Sequence, residues 1–360
     1  MTPSLAPSAL LKRVERDVER AILRGRNGLR YAAGATRPEV GQTPKRAVWS
    51  KHKTQLWRYR NDRIQYRPPV VIVHSLVSRS YVLDLYPGNS AIGFLLGSGL
   101  DVFLLDWGVA DAAEAGNSLE TYADGAIPAA VSAACDAAGT SEVTLLGYCF
   151  GGVLSLLACA RHPELPVRNL ILMATPVDYS AMQALTSLVR DGRLDPGDIL
   201  DETGNVPPEV VENAFRLLKP TGEISQYANL WENLWNDEYM EGYQAMGQWT
   251  RDHVPFPGTA FRQTVEQLVR HNALMDGTLE LGGEAVDLQK IRCPVLNVIA
   301  ERDHIVPLAA AEPVPALVGS EVADELRLHA GHVGLVAGRA AAKVTLPGIA
   351  AWIAEHSEQI

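Results

Sequence analysis

The sequence predicts an α/β domain on a mostly parallel, doubly wound sheet, interrupted by a second segment inserted between two of its strands. Three observations carry that expectation. Short runs that are apolar on both faces alternate with helical patterns from about residue 45 to 175, as happens when helices cover both sides of a parallel sheet. The alternation stops over about 176–284 and resumes at 294–300. A Gly-x-Cys-x-Gly-Gly run directly follows one apolar run and opens a helical pattern.

Taken in order, strands are expected at 70–73, 102–105, 143–146, 170–173, 294–300 and 325–328. Helices are expected near 88–97, 119–138, 152–161 and 346–356. Ahead of them, 8–29 reads as a helix with Leu10, Leu11, Val14, Val18, Ile22 and Leu23 on one side and Arg and Lys over much of the rest. It is expected as an arm packed on the domain surface. The organisation that follows is an N-terminal helical arm (1–40), a core formed by 41–175 and 286–360, and a cap subdomain (176–285).

Within the cap, Tyr227, Trp231, Trp235, Tyr239 and Tyr243 recur every fourth residue, with Trp249 nearby. Such a row drifts about 40° per step on a helix, and Gly242 is where a break is expected. The row is read as packing of the cap onto the core, with a polymer path or dimer contact as the alternative.

The bulk numbers narrow the function. The chain has 360 residues, 47% of them hydrophobic and 21% charged, enough for a large core. A net charge of −10 argues against sequence-independent nucleic-acid binding, which needs a concentrated basic surface. The four cysteines, Cys135, Cys149, Cys159 and Cys293, show no CxxC spacing, so neither a disulfide framework nor a zinc site is expected. The first 34 residues alternate basic and acidic groups without an apolar signal region. Arg339 and Lys343 interrupt the most apolar C-terminal stretch, so no membrane span is expected there. A soluble cytoplasmic protein is the resulting expectation. No P-loop or GxGxxG occurs.

The sharpest motif is Gly147-Tyr148-Cys149-Phe150-Gly151-Gly152. Between a strand and a helix it has the context of a nucleophile elbow, with cysteine where serine is usual. Glycines permit the close backbone approach that a tight turn demands, and a helix N-terminus favours thiolate. The alternative is a buried cysteine acting as a small hydrophobe.

A nucleophile of this kind needs a base, and the base an orienter. With an elbow on this sheet, the α/β-hydrolase fold places them in the order nucleophile, acid, histidine. Asp303 follows the strand at 294–300, and His332 follows the last strand, in Gly331-His332-Val333-Gly334. Of the other histidines, His52, His162, His253, His271 and His356 read as surface residues. His74 lies in the loop after an early strand, and His304 is too near Asp303 in sequence. His329 is the chief rival to His332. Oxyanion donors are expected at the N–H of Phe150 and, from the loop 74–81, at that of Val77. Asp106 and Trp107 read as structural.

Taken together these segments resemble the catalytic subunits of polyhydroxyalkanoate synthases, most nearly the short, class III type. The resemblance runs from Pro44-Lys45-Arg46-Ala47-Val48 through 74–86, Asp106-Trp107-Gly108, the elbow and Thr175-Pro176-Val177-Asp178-Tyr179. It continues through 281–288, Asp303-His304-Ile305-Val306-Pro307 and 331–334. Ser78 and Ser80 stand where the family often has Asn and Pro, and Ala330 where a second glycine commonly precedes the histidine. The resemblance implies transfer of a 3-hydroxyacyl group from CoA to Cys149, with His332 as base. Asp303 would orient His332 or help activate the incoming hydroxyl.

It further implies no cofactor beyond the CoA thioester substrate, a helical PhaE-like second subunit, a possible homodimer and residence at the surface of polyester granules. Two other readings remain: a cysteine hydrolase of thioesterase or dienelactone-hydrolase type, and a non-catalytic binding protein on the same fold.

Overall fold

The structure, a computed structural model, describes residues 7–34, 38–183, 186–187, 195–218 and 229–360. Its centre is an eight-stranded sheet: β1 (Lys45–Lys51), β2 (Thr54–Tyr59), β3 (Val70–Val73), β4 (Val102–Asp106), β5 (Val143–Tyr148), β6 (Val167–Met173), β7 (Val295–Ala300) and β8 (Ala323–Leu328). The spatial order is β1-β2-β4-β3-β5-β6-β7-β8. From β4 to β8 every neighbouring pair is parallel, whereas β1, β2 and β4 pair antiparallel.

The four residues of β3 are all buried because both faces of the sheet are covered. Val71 and Val73 point into one core with Ile127, Val131, Leu154 and Leu157, from α3 (Ile127–Ala138) and α4 (Phe150–Arg161). Val70 and Ile72 point into the other with Ile92, Leu95, Ile349 and Ile353, from α2 (Ala91–Gly97) and α7 (Leu346–Glu355). Period-two alternation thus feeds two hydrophobic layers, which is why these runs read as apolar throughout.

The expected strands and helices are all present. The hairpin β1–β2 was not anticipated. Its outer strand is mostly exposed and carries Lys45, Arg46 and Lys51, so it lacks the apolar signal of the central strands. One helical run, 333–355, is long and apolar enough by length and composition to cross a membrane, although Arg339 and Lys343 lie within it. In this fold Leu346, Ile349 and Ile353 are buried in the core.

Among the described residues, 174–294 contribute no strand to the main sheet. They supply α5 (Pro208–Leu217), α6 (Asp237–Trp249) and shorter pieces. The aromatic row departs from expectation in two ways; Tyr227 lies outside the described residues. First, the helical path breaks before Asn236, whose side chain accepts a hydrogen bond from the Tyr239 N–H at 3.2 Å and starts α6. Asparagine is a strong N-cap, whereas Gly242 lies inside α6, its Cα facing the Tyr86 hydroxyl.

Second, the row does not pack on the main core. Tyr239 and Tyr243 stack and cover a small cluster of Leu230, Leu234 and Met240, and Trp231 is 70% exposed. Trp249 does join the core.

What these residues meet is the N-terminal helix α1 (Pro7–Ala32). The Arg20 guanidinium lies 4.1 Å from the centre of the Trp235 ring. Arg26 and Asn27 bond Asp237 at 2.6 and 2.8 Å, Asn27 also donates to the Leu234 carbonyl at 2.9 Å, and Tyr31 meets Tyr243 edge to face. The expected apolar side is not the one that docks: Val14, Val18 and Ile22 are 54%, 54% and 67% exposed. The side chains of Leu10 and Leu11 lie outside those described. Cation–π and amide contacts outweigh the stripe here because the facing surface is aromatic and acidic.

Candidate active site

Cys149 stands between the end of β5 and the first residue of α4, with φ 57° and ψ −127°. A non-glycine residue in that region stores roughly 1–3 kcal/mol of strain. Its N–H is anchored on the Met173 carbonyl at 2.8 Å. The three neighbouring glycines make the turn possible. A Cβ on Gly147 would lie 2.4 Å from the Gly152 Cα, one on Gly151 2.2 Å from the Val73 carbonyl oxygen, and one on Gly152 1.8 Å from Thr175 Oγ1. Three backbones therefore meet behind the thiol at distances only hydrogen can fill.

The acid and histidine arrive by strand adjacency. β7 and β8 are parallel neighbours with Ala300 opposite Leu328, so the loops leaving them run side by side. Glu301 N–H bonds the Leu328 carbonyl and Arg302 N–H the Ala330 carbonyl, both at 2.9 Å. Asp303 Oδ2 accepts from His332 Nδ1 at 2.7 Å, and Asp303 Oδ1 accepts from the N–H groups of Ile305 and Val306, each at 2.8 Å. The two side chains are 1% and 7% exposed. With Nδ1 occupied, Nε2 is the nitrogen left for the Cys149 thiol.

The Tyr148 ring lies against the imidazole, 5.2 Å between centroids and tilted by 31°. Burial disfavours a charged His332, but the Cys149 sulfur and the Asp303 carboxylate outweigh it and push the imidazole up to about 10.

The three side chains singled out in the sequence are thus brought together, and His329 is not among them. His329 is exposed and paired with Glu301 at 2.9 Å. Phe150 opens α4, so its N–H has no partner within the helix. Val77 is half-buried, and its N–H donates to Ser75 Oγ at 3.5 Å. Ser75, Val77, Tyr148, Cys149 and His332 share the wall of one cavity of about 2060 Å³. Asp106 accepts from Ser80 Oγ at 2.6 Å and from the Gly108 N–H at 2.9 Å, and Trp107 donates to the His74 carbonyl at 2.9 Å. Both act on the loop after β3.

His74 itself is buried with neither ring nitrogen bonded, and burial pushes it down to about 4. All four cysteines are free thiols; burial pushes Cys159 well up and Cys293 up to about 11.

Sequence reasoning passed over His253 and Trp249. His253 is half-buried in the cavity wall, its ring stacked on Phe215 with centroids 5.2 Å apart, and Nδ1 lies 3.1 Å from the Val77 carbonyl. His162 is likewise half-buried, 3.0 Å from Asp124. His356 stacks on Trp352. None of these partners is near in sequence except that of His356, so periodicity left no trace of them.

The family model for the alpha/beta hydrolase fold matches residues 68–338. Sheet order, elbow and the late acid and histidine define an α/β-hydrolase-fold protein with cysteine at the elbow. Among curated proteins, the poly(3-hydroxyalkanoate) polymerase subunit PhaC of Allochromatium vinosum is 37% identical, over 91% of this chain and 93% of its own length. That of Thiocystis violacea is 34% identical, over 92% and 93%. The chain belongs to this PhaC family. Among solved structures, a monoacylglycerol lipase from Paleococcus ferrophilus has 16% identity and a TM-score of 0.47, over 84% of this chain and 99% of that one.

Two outcomes follow from the geometry. Gly151→Ala should lower unfolding stability by about 3 kcal/mol, measured by denaturant titration, because the obstacle is the backbone at Val73 and His74. His332 has its folded pKa raised above the ordinary 6.5. The stability linked to its protonation is therefore complete below about pH 6.5 and lost as pH rises through about 10. The gap in melting temperature between the parent and His332→Gln should be widest at or below pH 6.5 and narrow towards pH 10.

Proposed function

We propose that this chain polymerises (R)-3-hydroxyacyl-CoA, with 3-hydroxybutyryl-CoA as first substrate, into polyester through an acyl-Cys149 intermediate. The observation that carries the reading is a half-buried Cys149 beside the buried His332–Asp303 pair, opening on a cavity of about 2060 Å³. That is well beyond the roughly 300–1,000 Å³ of ordinary small-molecule sites. It has room for an acyl unit on sulfur together with a second unit or the end of a chain.

In the first half-reaction His332 Nε2 takes the thiol proton and the sulfur attacks the thioester carbonyl. The N–H groups of Phe150 and Val77 meet the negative oxygen. The carbon–sulfur bond to CoA breaks, and His332 returns the proton to the departing thiolate. In the second half-reaction His332 removes the proton of an incoming 3-hydroxyl, whose oxygen attacks the acyl-cysteine. An ester bond forms and Cys149 leaves with the proton.

Thioester-to-thioester exchange keeps the acyl group activated, which a serine ester would not. Asp303 is assigned as orienter of His332. Its two oxygens already accept three hydrogen bonds, which leaves it little capacity to receive a substrate hydroxyl. Arg251 and Arg302 are exposed and line the same cavity, a placement suited to the CoA phosphates in a chain of net charge −10.

Water competes with the hydroxyl for the acyl-enzyme. We assign its exclusion to residues 176–285 as a cap, with 1–40 as an arm beside it and 41–175 with 286–360 as the core. A PhaE-like second subunit, a class III organisation, a homodimer, and a place in the cytoplasm at the granule surface complete the proposal. No cofactor is invoked.

The decisive assay supplies 3-hydroxybutyryl-CoA, with and without a PhaE-like partner, and follows free CoA together with the acyl product. Polymer is expected; soluble 3-hydroxybutyrate alone in both arms would make the protein a hydrolase. Cys149→Ala should abolish CoA release. Asp303→Asn should lower kcat by about 10²- to 10⁴-fold, with KM much less affected.

A further inference from the structure

The loop after β3 is held from two sides. On the core side, Trp107 bonds the His74 carbonyl and Asp106 bonds the Ser80 hydroxyl. Between those anchors lies the stretch that carries the Val77 N–H, which in this structure donates to Ser75 Oγ at 3.5 Å and would exchange it for the oxyanion. The polar contacts of this stretch beyond the loop come from the end of α6 and the residues just after it. His253 Nδ1 donates to the Val77 carbonyl at 3.1 Å, and a single antiparallel bridge pairs Ser78 with His253. Trp249 Nε1 donates to the Arg79 carbonyl at 2.9 Å. Asp252 takes the Arg79 guanidinium at 3.3 Å and the Tyr81 hydroxyl at 3.1 Å.

From this arrangement we infer that His253 is a positioning residue: it aims the Val77 N–H at the oxyanion formed on Cys149, acting through the Val77 carbonyl. The inference rests on the reading of Cys149 as acyl acceptor. A peptide N–H is a useful oxyanion donor only if its direction is fixed before the charge appears. Binding the Val77 carbonyl and pairing Ser78 leaves the backbone at Val77 little freedom to turn.

The imidazole is itself fixed, because Phe215 of α5 stacks on it with planes 7° apart. The donor on the elbow side, Phe150, needs no such help because α4 aligns it. The two halves of the oxyanion site are therefore set by different parts of the chain: one by the sheet and α4, the other by the segment between β6 and β7. Displacement of 249–253 would unmake the second half while leaving Cys149, His332 and Asp303 in place.

The test measures Cys149 acylation in two ways: the p-nitrophenolate burst from p-nitrophenyl butyrate, and single-turnover CoA release from 3-hydroxybutyryl-CoA. His253→Ala should slow acylation by about 10- to 100-fold with KM within about 3-fold of the parent. His253→Asn, whose Nδ2 can reach the place of Nδ1, should restore the rate to within about 3-fold of the parent. Trp249→Phe, which keeps the ring and removes one donor, should slow it by about 3- to 10-fold.

An unchanged rate in His253→Ala overturns the inference. So does a loss that His253→Asn fails to restore while both variants melt with the parent, or an effect confined to KM. Should His253→Ala not fold, unchanged acylation in Trp249→Phe overturns it. A parent that gives the burst but makes no polymer would defeat the functional reading alone, since the burst needs neither CoA nor a hydroxyl.

Discussion

The molecule depends on one unfavourable residue. Cys149 is held at positive φ by a turn in which β5, α4 and the loop after β3 approach until only glycine fits between them. The strain is local, and the sheet around it is large and buried on both faces. The elbow cannot relax without moving α4 away from β3 and β5, so the thiol is presented at the end of the sheet rather than folded into it.

Around that point the charges are arranged by strand order. Because β7 and β8 are adjacent, Asp303 and His332 meet without any sequence proximity, and two backbone N–H groups hold one carboxylate oxygen while the other meets the imidazole. Cys159 and Cys293 lie in apolar surroundings that disfavour ionisation, whereas Cys149 lies beside a ring that gains from a neighbouring negative charge.

Much of this was legible beforehand, for identifiable reasons. The central strands announce themselves because both faces are apolar, and the elbow because steric demand leaves a glycine signature. Asp303 and His332 follow from chain order once the elbow is fixed. The hairpin β1–β2 was not legible because an exposed edge needs no apolar pattern. The orientation of α1 was misjudged because its docking face is built from arginine, asparagine and tyrosine, which a hydrophobic pattern ignores. Gly242 suggested a break that Asn236 makes instead, since a capping side chain starts a helix more decisively than one interior glycine stops it. His253 was set aside as a surface residue because its partner is a main-chain carbonyl far away in sequence.

The cavity beside the thiol is walled by α1, by the segment between β6 and β7, and by the loops that bear the triad. The last of these carry the triad, and the first two supply most of the lining. Mutations that widen or narrow the chamber can therefore accumulate on peripheral helices while the reacting atoms keep their places. Such a division leaves the size of the chamber open to change at residues remote from the thiol.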